Sequence, residues 1–460
     1  MNLPSQAEVV IVGAGPAGSA AAHRLAEAGA EVVLLERGVS PKSLTEREAE
    51  MLPQLRLDGM TTTITPGLML ESGTGPGGGS VMSMGVCQRI PSATLSRWGG
   101  FDALDPAYDN VEALLGVSDI PESAINENNA LFLRGGRAMS YRMTRLRDNR
   151  EGCIGAGFCA LGCARKARTD ARRILLPGAQ AHGATLIQGA QVTAIEVRRG
   201  RIQGVEGVAA GERFFIRADR VILAAGAVVS SMLATRVSRG AGQGLFFHPT
   251  ARVLGLFPEP VVGWQGIPQS VACTQLHDDG IRLSPSSDHP ATLAGWLPGS
   301  TEARAHLMGR LRNLALCEVA VADDATGRVR NVRGRPRVDY QLSERTGAAL
   351  ARGVTEAARL WMAAGARRVV VPWAEPAMLN TLADAELLRG IPPGPGDPLV
   401  SRWPGGGLAI GTVCDGSGQL DGITGLYAAD TALLPEATAI PPILTAYALG
   451  WMVAGLLTGQ

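Results

Sequence analysis

Three glycines near the N-terminus have a spacing that suits a phosphate-containing ligand. Gly13, Gly15 and Gly18 form G-x-G-x-x-G directly after the apolar residues 9–12. In this pattern the first glycine permits a tight turn, the second lets the backbone approach a pyrophosphate, and the third lets a helix pack on the preceding strand. The amides and positive dipole end at the start of that helix attract phosphate oxygens. The pattern predicts a dinucleotide site, with a glycine-rich turn that holds no ligand as the alternative.

An acidic residue follows at the distance expected for the ribose of a dinucleotide. Glu36 comes directly after a second apolar segment, residues 31–35. An acid there accepts hydrogen bonds from ribose hydroxyls, whereas an arginine would suit a ribose phosphate. We therefore expect FAD or NAD rather than NADP. The elements that must position these residues are a strand at 9–13, a helix at 16–28 and a strand at 31–35, with Pro16 in the first helical turn, where its missing N–H costs little.

Two further segments of small residues indicate close contact between backbone and ligand. Residues 74–80 are rich in glycine and precede the apolar residues 81–86. Glycines gathered in this way indicate positive φ angles or close approach of the backbone, and a flexible linker is the alternative. Residues 220–226 have the pattern of a buried strand that ends in a small-residue turn. We expect the first segment on the flavin side of a dinucleotide and the second beneath it.

The composition excludes several classes of protein. The 460-residue chain has a net charge of +1, with 18% charged residues, 46% hydrophobic residues and 59 glycines. This balance indicates neither nucleic acid nor an anionic membrane surface as a partner, and it is typical of a compact α/β enzyme with many turns. The odd number of cysteines, seven, and the lack of a secretory leader predict reduced thiols and a cytoplasmic location.

An uncharged stretch near the C-terminus raises the alternative of a membrane span. Residues 440–457 are nearly all apolar, and their length alone admits a span. Pro441, Pro442, Thr445 and Gly450 favour instead a buried helix that begins just after the prolines. We therefore expect no membrane span.

The middle of the chain has the pattern of an antiparallel sheet with long loops. Residues 245–400 contain prolines, tryptophans and alternating segments such as 251–257. One helix is predicted inside this region at about 344–364, ended by Gly365. Residues 405–460 return to the glycine-rich pattern of the N-terminus.

With these pieces in order, the chain resembles the glucose–methanol–choline (GMC) oxidoreductases, and within them the branch of long-chain-alcohol oxidases and cholesterol oxidase. The resemblance implies an α/β fold with a Rossmann-type FAD-binding domain at 1–240 and 400–460. It implies a second, α+β substrate domain at 241–399, built on an antiparallel sheet. It also implies non-covalent FAD and a buried substrate chamber against the flavin. The segments that carry the resemblance are 9–38, 77–80, 153–166, 218–230 and 411–449.

The same resemblance implies which residues contact FAD. Asp430 lies in a turn at 425–431 that matches the C-terminal FAD-contacting turn of the family, and its carboxyl group is expected near the ribityl chain and pyrophosphate. The expected set is Gly13, Gly15, Ala17, Gly18, Glu36, Gly78, Gly79, Ser80, Ser83, Val192, Ala225, Asp430 and Pro442.

The chain departs from the family pattern at the catalytic pair. Family members that oxidise alcohols use a His before a Gly-Thr dipeptide as general base, and an Asn or His before the C-terminal helix to orient the same oxygen. Aligning the Gly-Thr dipeptide at 411–412 places Leu408 at the first position, and aligning Pro442 places Pro441 at the second. Neither side chain can take or hold a proton. Ser83 is a third departure, because the family usually has Asn there.

Two residues are candidates to replace the missing pair. His248 is the first candidate base, and a structural histidine at the domain junction is the favoured alternative. Tyr447 is the second, and core packing with a hydroxyl partner is its alternative. The expected pocket wall is apolar and consists of Leu408, Pro441, Trp403 and Ile443.

Three cysteines lie close together in the chain. Cys153, Cys159 and Cys163 invite comparison with the ferredoxin spacing C-x2-C-x2-C-x3-C. Ala156 occupies the second position of that pattern, so one thiolate ligand is missing. We expect buried thiols and no bound metal.

These observations predict an FAD-dependent oxidoreductase with a non-standard active site. Its substrate is expected to be a small-to-medium, mostly apolar molecule, such as a secondary metabolite in a biosynthetic step, that transfers hydride to flavin. The electron acceptor is expected to be oxygen or a redox partner. Two alternatives stay open. The first is a redox-neutral enzyme, which would be an isomerase, lyase, cyclase or decarboxylase, and the second is a non-catalytic flavoprotein.

Overall fold

The computed structural model describes residues 3–41, 62–65, 68–371, 373, 378–394 and 396–459. Within these ranges the chain forms two large sheets, two small sheets and the helices that cover them. The two large sheets contain the elements that position the site.

The first large sheet, here called the nucleotide sheet, has the parallel core expected of a Rossmann-type domain. Strand Gln6–Val12 lies at its centre and pairs in parallel with Val32–Glu36 on one side and Glu212–Leu223 on the other. The full order is Thr185–Gln188, Val32–Glu36, Gln6–Val12, Glu212–Leu223, Arg201–Ala209 and Ala190–Arg198, with Leu426–Ala428 also paired to Glu212–Leu223. The N-terminal and C-terminal parts of the chain therefore share one sheet.

Two helices pack together on the nucleotide sheet, one from each end of the chain. Helix Pro16–Glu27 follows the glycine turn, and helix Ile443–Thr458 begins just after the two prolines. They approach closely because residue 450 is glycine: a Cβ there would lie 2.0 Å from the carbonyl oxygen of Ala17. This terminal helix is buried along most of its length by the protein itself. In the described part of the chain, no helix combines the length and apolar character that crossing a membrane requires.

The second large sheet, here called the substrate sheet, is mainly antiparallel. Its central strands are Thr250–Leu256 and Leu314–Val321. The order is Thr62–Thr65, Leu68–Leu70, Leu399–Ser401, Thr250–Leu256, Leu314–Val321, Ile281–Ser286, Val271–Cys273 and Met143–Arg145, with Arg368–Val370 and Met378–Leu379 joined beside Thr250–Leu256. Leu68–Leu70 and Leu399–Ser401 form its parallel pair.

A long helix, Glu344–Ala363, covers one face of the substrate sheet. Its bounds agree with the sequence prediction, and Ser343 caps its start by accepting a hydrogen bond from the Thr346 amide. Gly353 lets the helix approach the sheet, because a Cβ there would lie 2.5 Å from a methyl carbon of Val319. This face of the sheet is therefore sealed by close apolar packing.

The remaining elements connect and cover these sheets. Short strands make a four-stranded sheet, Gln243–Phe246, Gly327–Val332, Arg335–Asp339 and Gly405–Gly407, and a two-stranded one, Ser118–Asp119 with Arg147–Asp148. The other α-helices are Gly79–Met82, Ser92–Trp98, Leu104–Leu115, Glu127–Ala138, Leu175–Ala181, Ala227–Ala234, Pro290–Trp296, Thr301–Gly309 and Leu382–Leu387. Short 3-10 turns are Glu122–Ala124, Cys159–Leu161, His277–Asp279, Leu311–Asn313, Leu388–Gly390 and Thr431–Leu433.

The division into an FAD-binding domain at 1–240 and 400–460 and a substrate domain at 241–399 stays a prediction. The substrate sheet contains strands from both of these parts of the chain. Strands Thr62–Thr65, Leu68–Leu70 and Met143–Arg145 come from the predicted FAD-binding part but pair in the substrate sheet. Their short length and distant partners hide this pairing from the sequence pattern, because each is only three or four residues long.

Candidate FAD site and substrate cavity

The glycine turn has the geometry that its spacing predicts. Gly13 has a φ of 103°, and a Cβ there would lie 2.5 Å from the carbonyl oxygen of Ala224, directly after the neighbouring strand. A Cβ at Gly18 would lie 1.9 Å from the Gly13 carbonyl oxygen, so this glycine lets helix and strand pack together. A Cβ at Gly15 would meet no atom within 4 Å. The space in front of the helix N-terminus is therefore open, as a bound pyrophosphate requires.

The Glu36 carboxylate ties the glycine turn to two neighbouring loops. One carboxylate oxygen accepts from the Ala14 amide at 3.0 Å, and the other accepts from the amides of Gly38 at 2.8 Å and Gly75 at 3.2 Å. Glu36 is buried but lines the cavity described below. Each carboxylate oxygen has two lone pairs, so the group can also accept from a ribose hydroxyl.

Asp430, from the C-terminal part of the chain, lines the site and accepts three hydrogen bonds there. Its buried carboxylate accepts from the Gly226 amide at 2.8 Å, from the Ser230 hydroxyl at 2.6 Å and from the Ala432 amide at 2.8 Å. Burial raises the pKa of Asp430 above its usual value, and these three donors oppose that rise. The side chain joins the turn after strand Glu212–Leu223 to the turn after strand Leu426–Ala428.

A cavity lies at the carboxyl ends of the nucleotide-sheet strands, where ligands bind in folds of this type. Most of the residues expected to contact FAD line it: Gly13, Gly15, Ala17, Glu36, Gly78, Gly79, Val192, Ala225, Asp430 and Pro442. The open space at Gly15 and the carboxylates of Glu36 and Asp430 fit a dinucleotide, with residues from both ends of the chain around it. Trp403 and Ile443, expected in the substrate-pocket wall, line the same cavity.

Three residues expected to contact FAD lie outside the described lining of the cavity. Gly18 packs the helix on the strand, as noted above. The Ser80 hydroxyl donates to the Gly77 carbonyl at 2.6 Å, and the Ser83 hydroxyl donates to the Ser80 carbonyl at 3.1 Å. The two serines therefore stabilise the second glycine loop, whose Gly77 amide donates to the Ala14 carbonyl at 2.8 Å.

Two residues expected in the pocket wall, Leu408 and Pro441, lie outside the described lining of the cavity. Leu408 is completely buried in the main hydrophobic core, and its amide donates to the Ala432 carbonyl at 3.0 Å. Pro441 is also buried. Neither belongs to the described lining of the cavity, whereas Pro442 and Ile443 do. Alignment of short motifs gave these positions, and it cannot show which way a side chain points.

His248 has the contacts of a structural histidine. It is buried, with Nδ1 at 2.8 Å from the Trp403 carbonyl oxygen and Nε2 at 3.0 Å from the Thr438 carbonyl oxygen. Burial lowers the pKa of His248, and the nearby Asp323 carboxylate opposes this change. Because both ring nitrogens face backbone carbonyls, the contacts support the structural alternative over the role of general base.

Tyr447 lies on a buried face of the terminal helix and lies outside the described cavity lining. Its hydroxyl accepts from the Ala171 amide at 3.1 Å. Burial raises the pKa of Tyr447. These contacts are typical of a tyrosine that packs in the core with a hydroxyl partner. They favour this structural role over the role of a candidate base.

A charged residue at the cavity wall was missed by the sequence reasoning. Arg402 lines the cavity beside Trp403, and its Nε donates to Glu71 at 2.8 Å while Nη1 donates to Glu318. A charged side chain therefore lies beside the expected apolar residues at the cavity wall. The signal for Arg402 is weak in the sequence, because a single arginine beside a short strand is ordinarily solvated.

The cysteine segment does not gather its thiols at one point among the described residues. Cys153 is exposed, Cys159 is buried and Cys163 is intermediate. The one group of potential metal ligands found in the described ranges is elsewhere: His23, Glu27 and His182, whose ligand atoms lie within 4.8 Å of one another. The sequence pattern did not indicate this group, since His182 is far from the other two in the chain.

Family models match most of the chain. Two models described as GMC oxidoreductase match residues 8–250 and 323–450, and a model described as FAD dependent oxidoreductase matches residues 135–370.

Similar curated proteins extend over nearly the whole chain. An uncharacterized GMC-type oxidoreductase of Mycobacterium tuberculosis is 31% identical over 477 residues, which cover 98% of this chain and 75% of the relative. An uncharacterized GMC-type oxidoreductase of Sinorhizobium fredii is 26% identical, with 98% and 95% covered. Long-chain-alcohol oxidase FAO4A of Arabidopsis thaliana is 24% identical, with 98% and 69% covered.

Solved structures show the same fold at low identity. Pyridoxine 4-oxidase from Mesorbium loti superposes with a TM-score of 0.77 at 16% identity, covering 99% of this chain and 100% of that one. Formate oxidase from Aspergillus oryzae RIB40 superposes with a TM-score of 0.72 at 14% identity, covering 100% and 99%. Together with the family models and the M. tuberculosis relative, they confirm the predicted family, fold and cofactor: the chain belongs to the GMC oxidoreductase family and is an FAD-dependent oxidoreductase.

Proposed function

We propose that this enzyme oxidises a small-to-medium organic substrate at a site without the usual His and Asn/His pair. The observation that supports this most is the cavity itself. It has FAD-binding groups at the ends of the nucleotide-sheet strands and Trp403, Pro404 and Ile443 at its wall, while Leu408 is packed in the core. FAD, when bound, supplies the hydride acceptor.

The protein's own residues orient the substrate and exclude water rather than take its proton. Trp403, Pro404 and Ile443 offer apolar surface to the body of a substrate. Arg402 is held in place at the wall by ion pairs with Glu71 and Glu318. A substrate whose reacting group loses its proton readily suits this site better than a plain alcohol, because no side chain at 408 or 441 can serve as base.

Three further parts of the proposal concern the setting of the reaction. We place the enzyme in the cytoplasm, because all seven cysteines are free thiols, which is typical of a reducing compartment. We propose oxygen or a redox partner as the electron acceptor. The substrate class is a secondary metabolite within a biosynthetic step.

A redox-neutral reaction is the second candidate, and the absent base at 408 favours it. An isomerase, lyase, cyclase or decarboxylase of this fold can use flavin without net electron transfer. A non-catalytic flavoprotein is the third.

Anaerobic mixing of the purified protein with a substrate panel separates the three. Flavin absorbance is followed by stopped flow, and products are analysed by mass spectrometry. Bleaching with product formation supports oxidation. Product without bleaching contradicts it and supports the redox-neutral candidate. Neither result over a broad panel of alcohols, hydroxy acids and enolisable ketones supports the non-catalytic one.

A further inference from the structure

One face of the substrate sheet is buried and polar. Arg252, Ser284 and Glu318 lie in one row across three neighbouring strands. In the strand register, Arg252 is directly opposite Glu318, and Glu318 is directly opposite Ser284. Residues opposite each other in antiparallel strands point to the same face, and so do residues two apart along a strand. Arg282 and Ser286 therefore share this face with Ser284. All five residues are buried.

The opposite face of the same strands is apolar and already covered. Val319 and Leu283 lie against Gly353 of helix Glu344–Ala363, and the Trp361 indole N–H of that helix donates to the Val253 carbonyl at 3.2 Å. The polar face must then point away from the helix. Arg402 and Trp403 line the cavity and also contact this polar face. Arg402 forms an ion pair with Glu318, and the Arg282 guanidinium carbon lies 5.9 Å from the centre of the Trp403 ring.

The acids near this face form ion pairs with Arg402 and Arg252. Arg402 forms ion pairs with Glu71 and Glu318, and Arg252 lies 3.1 Å from Asp288 and 3.8 Å from Glu318. The Arg402 and Arg252 guanidiniums hold the pKa of Glu318 below its usual value although burial acts to raise it. Glu318 is therefore ionised and held in place by these two arginines.

Arg282 takes part in none of these ion pairs. It is not itself in the described lining of the cavity, but its guanidinium lies over the ring of Trp403, which is part of that lining. Arg282 is 1% exposed, and within the described ranges its Nε and Nη2 atoms are buried without a hydrogen-bond partner. The Ser286 hydroxyl on the same face also lacks one there. Burial lowers the pKa of Arg282 to about 10, against the opposing effect of Glu318, so the guanidinium stays charged at neutral pH. A buried guanidinium with unused donors is costly unless an acceptor binds it.

We infer that Arg282 binds an anionic group of the substrate, and that this group is a carboxylate. A carboxylate can accept two parallel hydrogen bonds from one guanidinium, which suits the planar donors of arginine. The apolar wall at Trp403 and Ile443 then contacts the rest of the molecule. The substrate is an organic acid with an apolar body, and this inference rests on the proposed function, since it assigns a substrate class to the same cavity.

The test compares carboxylates with amides of the same shape. Benzoate and benzamide, and 3-phenylpropionate and its amide, are titrated into the FAD-bound protein while the flavin absorbance spectrum and equilibrium dialysis report binding. We expect each carboxylate to bind at least ten times more tightly than its amide. Equal affinities, or no carboxylate binding, would overturn the inference, and this comparison needs no variant.

Variants then assign the effect to Arg282. Arg282→Met should weaken benzoate binding at least tenfold and leave benzamide binding unchanged, because it removes the charge but keeps a long apolar side chain. Arg282→Lys should give an intermediate affinity, since lysine keeps the charge without the planar fork. Arg304→Met, at an exposed position, is the control and should bind both probes as wild type does. Unchanged benzoate affinity in Arg282→Met would overturn the inference.

The same samples distinguish this inference from the proposed function. If carboxylates bind as expected but no compound of the panel bleaches the flavin, the proposed oxidation fails and the anion site stands. If the flavin is bleached by uncharged substrates and carboxylates bind no better than amides, the oxidation stands and the anion site fails.

Discussion

Asp430 joins two separate segments of the chain at the cavity. One carboxylate fixes the Gly226 amide, the Ser230 hydroxyl and the Ala432 amide. These groups lie in turns that follow two different strands of the nucleotide sheet. A buried acceptor that serves three donors positions the backbone more firmly than a side chain with one partner, because each donor left unpaired would cost about 1–3 kcal/mol.

Asp430→Ala should therefore reduce both stability and FAD content. We expect the free energy of unfolding to fall by about 2–4 kcal/mol, because up to three donors lose their acceptor in a buried site. FAD per chain, measured after acid release, should fall with it. Asp421→Ala, at an exposed position, should leave both quantities unchanged. Full FAD content in Asp430→Ala would show that the carboxylate is not needed for the site.

The burial of His248 predicts how the free energy of unfolding changes with pH. Its folded-state pKa is lowered, chiefly by burial. The stability it contributes is therefore present above the unfolded pKa of about 6.5 and is lost as the pH falls below that value. His248→Ala should lower the free energy of unfolding by about 2–4 kcal/mol at pH 7.5.

The difference between wild type and His248→Ala should shrink between pH 6.5 and 5, as measured by denaturant unfolding. His306→Ala, on an exposed surface, is the control and should change stability by less than about 0.5 kcal/mol. A variant that unfolds like wild type but no longer bleaches its flavin with substrate would instead make His248 the general base.

The residues at 408 and 441 predict poor activity on plain alcohols. Without a positioned base, primary alcohols such as 1-dodecanol should reduce the flavin about 10²- to 10⁴-fold more slowly than in an enzyme that has one. The measurement is the stopped-flow rate of flavin bleaching, and hydroxy acids are compared in parallel. Introducing the missing pair as Leu408→His with Pro441→Asn should raise the alcohol rate only slightly, because position 408 lies in the core. Alcohol rates as fast as those of hydroxy acids would contradict the assignment.

At the scale of elements, the glycine turn and its helix were predictable and the polar sheet face was not. Gly13, Gly15 and Gly18 act locally, so their spacing alone specifies the turn. Arg282 acquires its environment from the register of strands Thr250–Leu256 and Leu314–Val321, which are distant from it in the sequence. A single sequence does not reveal such pairing.

The contact between the first and last helices also depends on one residue. Gly450 lies against the Ala17 backbone, and Ala17 and Ala446 both line the cavity. Gly450→Val should separate the helices, lower the free energy of unfolding by about 1–3 kcal/mol or more, and weaken FAD retention. Gly309→Ala, at a helical glycine with open space around it, should be neutral or slightly stabilising. Differential scanning fluorimetry with and without added FAD measures both effects. A Gly450→Val protein as stable as wild type would show that the helices can separate without cost.

At the scale of the whole molecule, the chain ends meet at one site. The first strand and helix, the loop at Gly78 and Gly79, and the segment from Asp430 to Ala446 all contribute to the cavity. Family resemblance predicted this discontinuous arrangement from the motifs at each end. It did not predict that the segments at 62–65, 68–70 and 143–145 would join the substrate sheet, because they are too short to give a periodic signal.

The central claim is that this cavity holds one non-covalent FAD for oxidoreductase chemistry. Its most direct test is the cofactor content of the purified, untagged protein after expression with riboflavin. The account predicts a yellow protein with one FAD per chain, fully released into the supernatant by heat or acid and identified as FAD by chromatography. A colourless protein, FMN in place of FAD, or flavin that stays with the precipitated chain would contradict it.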